Sequence, residues 1–123
     1  MGAGPAALCI TAELVQQGLN VRAIASKSPL DPWPNTYGIW ASELESLSMQ
    51  ELLKYRWKDT VSFFGDGSSK KGDLHINHNL DYGLFNLNNF QEALLERCDG
   101  LSWQVETVEE IKFRKRETVV ICT

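Results

Sequence analysis

The feature that most constrains this chain is a glycine-rich turn at its start. The turn has a Gly-x-Gly-x-x-Ala pattern that leads straight into a helical pattern, and its members are Gly2, Ala3, Gly4, Pro5, Ala6 and Ala7. In such a turn the first two glycines permit a tight bend and a close backbone approach to a pyrophosphate, while the last position takes a small residue where helix meets sheet. Pro5 has the fixed φ of a first helical turn. The turn therefore predicts a dinucleotide site in which the helix N-terminus faces the phosphates.

The residues that follow extend this prediction. A wide apolar face over residues 6–15 predicts a helix with Gly18 just beyond its end, and residues 20–25 predict a short strand. This is the order of a β-α-β unit without its first strand, so we expect a chain truncated at that end. An acidic residue that binds ribose is expected about 20 residues after the glycines, where this chain has Ala25 and Ser26, neither of them acidic. Ser26 could offer a hydroxyl and Lys27 or Ser28 could favour a phosphate, but plain loop residues fit equally well.

Composition and charge exclude several classes of protein. The 43% hydrophobic content of the 123 residues indicates a folded chain, and a net charge of −4 argues against a nucleic-acid partner. Three scattered cysteines predict neither a disulfide framework nor a metal site, and Cys9 is expected in the core. His75 and His78 lack the spacing of a helical metal pair, so no metal is expected. The chain has no apolar run of about 18 residues and no signal peptide, which predicts a protein that is not secreted.

The rest of the chain predicts mixed helices and strands. Residues 26–40 predict an irregular loop rich in proline and aromatic residues, and capping boxes at Ser42 and Ser48 predict two helices, the second running through Tyr55. Residues 59–64 and 73–76 predict a hairpin around an exposed turn at 65–72. A third capping box at Asn88 predicts a helix that buries Phe90, Ala93, Leu94 and Cys98. Strands are predicted at residues 101–105, 108–113 and 118–122, the last two joined by a basic tip at 112–116.

The string Asp-Pro-Trp-Pro-Asn-Thr-Tyr-Gly-Ile-Trp at residues 31–40 is far more specific than the glycine turn. Placed after a Gly-x-Gly-x-x-Ala helix and a second strand, it resembles the lycopene cyclases of plants and cyanobacteria, which are flavoproteins related to geranylgeranyl reductases. The likeness extends through residues 41–45, 57–61, 82–83 and 94–98. It covers most of this chain but only the N-terminal third or so of a family member. Family members often have basic residues in the segment that matches 83–87, where Leu84 and Leu87 stand here.

The resemblance implies an α/β fold: an incomplete Rossmann-like domain for FAD or NAD(P), without its first strand and followed by the start of a β-rich substrate region. We expect residues 1–123 to be a partial FAD-binding domain truncated at both ends. Its parts would be the dinucleotide-binding element at 1–25, the aromatic and proline loop at 26–40, inserted helices and a hairpin at 41–87, and a helix with a β-hairpin at 88–123. The cofactor residues would be the glycine turn, residues 2–7, together with Ser26.

The reaction implied by the resemblance is the acid-initiated, redox-neutral cyclisation of the ends of lycopene, or a related linear carotenoid, to β- or ε-rings. Reduced FAD is required in the family, and NAD(P)H could be its electron source. The acidic motif associated with catalysis lies beyond Thr123, so no catalytic residue is assigned and the segment alone is expected to be inactive. The expected location is cytoplasmic or peripheral to a photosynthetic membrane. Alternatives are a related FAD-dependent reductase or monooxygenase acting on an isoprenoid, and a degenerate nucleotide-binding fragment without catalysis.

The aromatic loop supplies the residues expected near flavin or substrate. They are Trp33, Pro34, Asn35, Tyr37, Gly38 and Trp40. Trp33, Tyr37 and Trp40 offer flat apolar surface whose π-faces suit a developing carbocation. Asn35 and backbone groups could meet the polar edges of the flavin. The alternative is that these aromatic side chains only anchor the loop to the core.

Overall fold

A computed structural model of the protein describes residues 2–64 and 74–110. These residues form a mixed α/β structure, which confirms the coarse fold class. The elements, in chain order, are α1 (Pro5–Gln16), β1 (Ala23–Ala25), β2 (Gly38–Trp40), α2 (Ala41–Ser46), a 3₁₀ turn (Gln50–Leu52), β3 (Leu53–Trp57), β4 (Val61–Phe64), β5 (Leu74–Asn77), β6 (Tyr82–Phe85), α3 (Leu87–Glu96) and β7 (Trp103–Val105). Contacts divide the chain into a first unit, Met1–Pro34 with Asn88–Thr123, and a second unit, Asn35–Leu87.

The first unit contains the predicted helix and strand after the glycine turn. Helix α1 ends where Gly18 adopts a φ of +74°, a left-handed conformation that glycine reaches without a Cβ penalty. The Gly18 N–H donates to Val15 O at 2.9 Å, as expected for a residue that follows a helix C-terminus. Strand β1 covers only the last three residues of the predicted range 20–25, and it pairs in parallel with β7.

The core of the first unit lies between α1 and α3. Leu8 and Leu94 are its two largest fully buried side chains. The Cys98 thiol is also buried and lies 3.7 Å from Leu8 O, which links the end of α3 to α1. The predicted burial of the α3 side is therefore confirmed at Phe90, Leu94 and Cys98. The prediction for Cys9 is wrong: its helical position faces outward and the side chain is exposed.

The second unit has two antiparallel sheets within the described residues. Strands β2, β6 and β3 form one sheet in that order, and β4 pairs with β5 in the other. Pairing of β4 with β5 confirms the predicted hairpin. The turn predicted at 65–72, the strand at 118–122 and the basic tip at 112–116 lie outside the described residues. Most of the strand predicted at 108–113 does too, and residues 108–110 belong to no strand.

Several predictions based on capping boxes are wrong. Ser48 has a φ of 54° and opens no α-helix, because residues 53–57 form a strand that pairs with β6. Helix α2 begins at Ala41 with Trp40 at its N-cap, so Ser42 lies inside it. Asn88 likewise lies inside α3. Tertiary pairing and side-chain contacts with distant residues decide these ends, and local hydrogen bonding does not.

Candidate functional site

The glycine turn leads into α1, and residues 2–5 are half-buried. Gly4 is the N-cap residue, with φ −84° and ψ −179°, and Pro5 is at the first helical position. Leu8 N donates to Gly4 O at 3.1 Å, which closes the first helical turn. A Cβ built on Gly4 would have no neighbour within 4 Å among the described residues, so the space beside this residue is open in that part of the chain. The buried side of the turn is formed by Ala7, where a larger side chain would collide with the core.

Trp33 connects the aromatic loop to the glycine turn. Its indole Nε1 donates to Ala3 O at 2.9 Å, and its ring packs edge-on against Phe90 at 5.7 Å. Gln91 of α3 holds the same loop from the other side, because its amide donates to Pro29 O at 2.6 Å and Asp31 O at 2.9 Å. The structure therefore brings Trp33 together with the turn, and both belong to the first unit.

The carboxyl ends of β1 and β7 form a second part of the first unit's site. Ser26 follows β1 directly and is exposed. Glu106 follows β7, and its N–H donates to Ala25 O at 2.8 Å, which completes the pairing of Ala25 with Val105. Sequence reasoning did not single out Glu106. The available signal was an acidic residue placed directly after a predicted strand.

The side chain of Glu106 is held by polar neighbours. Gln104 Nε2 donates to Glu106 Oε2 at 2.5 Å, and Arg22 Nη2 donates to Gln104 Oε1 at 2.6 Å. These exposed bonds orient the carboxylate at the end of β7, although each contributes little to stability in water.

An open groove of about 390 Å³ lies between the loop after β1, the end of α3 and β7. Its apolar lining includes Pro29, Leu95, Leu101 and Trp103. The Cys98 thiol also lines it, and burial raises the pKa of this thiol while the charge of Arg97 opposes the rise. The groove thus presents a protonated, weakly nucleophilic sulfur in an apolar wall.

In the second unit an aromatic row crosses the three-stranded sheet: Trp40 on β2, Tyr82 on β6 and Trp57 on β3. Tyr82 is the register partner of both tryptophans. Its ring centroid lies 5.5 Å from that of Trp40 and 6.5 Å from that of Trp57. Tyr55 continues the row at 5.9 Å from Trp57, and both of these side chains are about half exposed. The row is a flat, partly open apolar surface.

Gly38 makes room for the middle of the aromatic row. A Cβ on Gly38 would lie 2.5 Å from Tyr82 Cζ, so a side chain there would collide with the phenol ring. At the other end of β2, Trp40 packs at 5.4 Å against His78, whose Nε2 is 2.6 Å from Ser62 Oγ. These contacts fix the ring of Trp40 by packing on two sides.

A charge cluster flanks the same sheet. Arg56 contacts Glu45 at 2.7 Å and Asp81 at 2.8 Å. Hydrogen bonds to Asp81 and then to Glu45 raise the pKa of Arg56 above its usual value. The three side chains are partly exposed, so the cluster orients the strands rather than adding much stability.

The predicted site residues divide between the two units. Residues 2–7, Ser26, Trp33 and Pro34 belong to the first, and Asn35, Tyr37, Gly38 and Trp40 to the second. Tyr37 is half-buried and its carbonyl accepts from Phe85 N at 3.0 Å, while Asn35 is exposed. In the part of the chain that the structure describes, no group of three His, Cys, Asp or Glu residues is placed to hold a metal ion. No helix within residues 2–64 and 74–110 is long and apolar enough to cross a membrane.

These features define a mixed α/β chain in which a glycine turn leads into the first helix and an aromatic segment follows. The family model described as lycopene cyclase protein matches residues 1–123, and the chain belongs to that family. The resemblance seen in the sequence is thereby confirmed.

Named relatives agree with this assignment. The chain is 42% identical over 107 residues to a lycopene beta cyclase of Synechococcus elongatus, a match that covers 85% of the chain and 24% of that protein. It is 27% identical to a chloroplastic lycopene beta cyclase of Nicotiana tabacum and 28% identical to one of Arabidopsis thaliana, with 99% and 100% of the chain covered. The chain spans about a quarter of the length of these relatives. No solved structure matches it.

Proposed function

We propose that the protein containing this chain is a lycopene cyclase, which closes the linear ends of lycopene into rings by acid-initiated, redox-neutral cyclisation. The observation that carries the proposal is the family match over residues 1–123. The 42% identity to a lycopene beta cyclase favours β-rings over ε-rings. No residue of this chain is assigned as the proton donor or the base of this reaction.

FAD is the proposed cofactor, and the glycine turn fits its pyrophosphate. The open space beside Gly4 is the cradle that a side chain would fill, and the first N–H groups of α1 point toward it with the positive end of the helix dipole. Trp33 would keep this turn in place through its bond to Ala3 O. Bound FAD would supply the reduced flavin that the family requires. The α1 and β1 arrangement is compatible with part of a Rossmann-like domain.

The aromatic row is the proposed contact for the carotenoid. A polyene is long, flat and apolar, and it can lie on aromatic faces that keep water away from a developing cation. Trp57 and Tyr55 offer such faces at about half exposure, while Tyr82 and Trp40 are fixed by their neighbours. Each ring would stabilise a nearby cation by about 0.5–2 kcal/mol.

A segment exchange tests the function of these 123 residues directly. The matching segment of the Synechococcus elongatus cyclase is replaced by this chain, and the hybrid is expressed in bacteria that accumulate lycopene. We expect cyclised pigment, identified by chromatography and mass, because the family members share the segment's role. The unmodified cyclase and the hybrid with Gly4→Val serve as matched controls.

Three outcomes decide between the candidate functions. Cyclised pigment of unchanged mass supports the cyclase, whereas pigment that has gained hydrogen indicates an isoprenoid reductase. Unchanged lycopene from a soluble hybrid that holds flavin contradicts the cyclase proposal. The same assay on the complete protein that contains this chain removes any effect of the hybrid junctions.

A further inference from the structure

The end of β1 lacks the acidic residue that dinucleotide-binding folds generally place there. That residue lies about 20 positions beyond the glycines and accepts a hydrogen bond from a ribose hydroxyl. Ala25 and Ser26 stand at this position here, and neither is acidic. A serine can accept such a bond, but it lacks the charge that makes a carboxylate contact strong. A carboxylate that binds the ribose would therefore come from another element of this chain.

Strand register places a carboxylate beside Ser26. Ala25 and Val105 are the last register partners of the two parallel strands, and Ser26 and Glu106 follow them directly. The bond from Glu106 N to Ala25 O, 2.8 Å long, holds the backbone of Glu106 against the end of β1. Neighbouring strands lie about 4.8 Å apart. Glu106 thus lies one strand spacing from the position of the usual acid.

The environment of Glu106 suits a ligand contact. The side chain is exposed at the carboxyl edge of the parallel pair, which is the edge where ligands of open α/β sheets bind. Gln104 donates to one carboxylate oxygen and is itself held by Arg22, which fixes the direction of the group before any ligand arrives. A carboxylate held in this way loses less conformational entropy on binding than a free side chain would.

We propose that Glu106 binds the 2′-hydroxyl of the adenosine ribose of FAD, in place of an acidic residue at the end of β1. The inference rests on the proposed FAD binding, with the pyrophosphate beside Gly4. The hydroxyl donates a hydrogen bond to the carboxylate, and no covalent bond is made or broken. A carboxylate at the end of β7 would thereby make the ribose contact that an acidic residue at the end of β1 usually makes.

Binding measurements on the complete protein test this assignment. Apoprotein is titrated with FAD, and ADP and 2′-deoxy-ADP are used as competing probes. We expect Glu106→Gln to raise the Kd for FAD roughly tenfold or more, the usual effect of removing a hydrogen bond to a charged group. Wild-type protein should prefer ADP over 2′-deoxy-ADP, and Glu106→Gln should lose that preference. Glu109→Gln removes a nearby exposed carboxylate and should change neither value.

A relocation variant separates ligand contact from a structural effect. Ser26→Asp combined with Glu106→Gln returns a carboxylate to the end of β1, and it should restore both FAD affinity and the preference for ADP. Thermal unfolding of the apoproteins should be unchanged, since both side chains are exposed.

The outcomes distinguish this inference from the proposed function. If Glu106→Gln binds FAD and discriminates the two probes like wild type, the role of Glu106 is refuted while FAD binding stands. If the relocation variant stays as weak as the single variant, the contact is not to ribose and the inference fails. If wild-type protein binds no FAD, the proposed cofactor is itself wrong, and the inference falls with it.

Discussion

Replacement of Gly4 by valine distinguishes the effect of this glycine on stability from its effect on ligand binding. The backbone at Gly4, with φ −84° and ψ −179°, is extended and suits a β-branched residue. Within residues 2–64 and 74–110, nothing lies within 4 Å of the position that a Cβ would take, so the new side chain meets no atom of this part of the chain. The fold alone therefore gives little reason for glycine at this position.

The two expected effects of Gly4→Val differ greatly in size. Valine is a poorer N-cap residue than glycine, which costs about 0.5–1 kcal/mol of stability. The binding free energy of a pyrophosphate falls far more, because the isopropyl group occupies the open space and keeps the phosphate oxygens from the backbone N–H groups. Two lost bonds to a charged group, at about 1.5–3 kcal/mol each, amount to roughly a hundredfold or greater rise in Kd.

The assay uses the complete protein that contains the chain. Flavin content after purification and the Kd for FAD from fluorescence titration report the ligand effect, and thermal unfolding of the apoprotein reports the fold. The matched control is Gly18→Val, since Gly18 has a φ of +74° and a side chain there is strained. Gly18→Val should lose about 1–2 kcal/mol of stability and keep its flavin. Normal flavin content in Gly4→Val would refute the assignment of the turn.

Three further predictions follow from contacts in the two units. Trp33→Phe removes the indole donor to Ala3 O and should cost about 1 kcal/mol in the free energy of unfolding, measured by denaturant titration. Gly38→Ala places a methyl group in the ring of Tyr82 and should cost about 1–3 kcal/mol, measured in the same way. Cys98 should react with iodoacetamide roughly tenfold or more slowly than an exposed thiol, because it is buried and its raised pKa keeps it protonated; peptide mass spectrometry measures the rate.

Each of these predictions has its own control. Trp57→Phe keeps a half-exposed ring and should have a smaller effect than Trp33→Phe; equal effects would contradict the anchoring role of Trp33. Tyr82→Ala should relieve the clash of Gly38→Ala, so strictly additive costs would rule out the contact. A cysteine in a short unstructured peptide provides the reference for alkylation, because desolvation also raises the pKa of Cys9. Rapid labelling of Cys98 in folded protein would disprove its burial.

The elements that sequence reasoning found are those set by local chemistry. The helix from the glycine turn, its end at Gly18 and the buried stripe of α3 follow from backbone conformation and helical periodicity alone. The helix predicted after Ser48 failed, because β3 is fixed by pairing with β6, a strand about 30 residues away that the sequence pattern did not reveal.

The candidate site likewise contains residues that the local sequence predicts and residues that only long-range contacts bring into place. Residues 2–7 and the aromatic string are contiguous, so their spacing could be recognised. The position of Glu106 depends on the register of β7 against β1, and the bond from Trp33 to Ala3 O depends on how a loop folds back over 30 residues. Gln91 is the last residue of the capping box predicted at Asn88, but its amide bonds to Pro29 O and Asp31 O instead. Such long-range contacts leave no periodic signal in a single sequence.

The parallel pairing of β1 with β7 has a consequence for synthesis on the ribosome. Ala23 pairs with Trp103, so roughly 80 residues must be added after β1 before its partner exists. At about 5–20 residues per second this takes roughly 4–16 s. During that interval the edge of β1 facing β7 is unpaired, whereas the second unit is one continuous segment and can form first. Nascent chains stalled before residue 103 would therefore present that open edge to chaperones, and chains long enough for β7 to have left the ribosome would not.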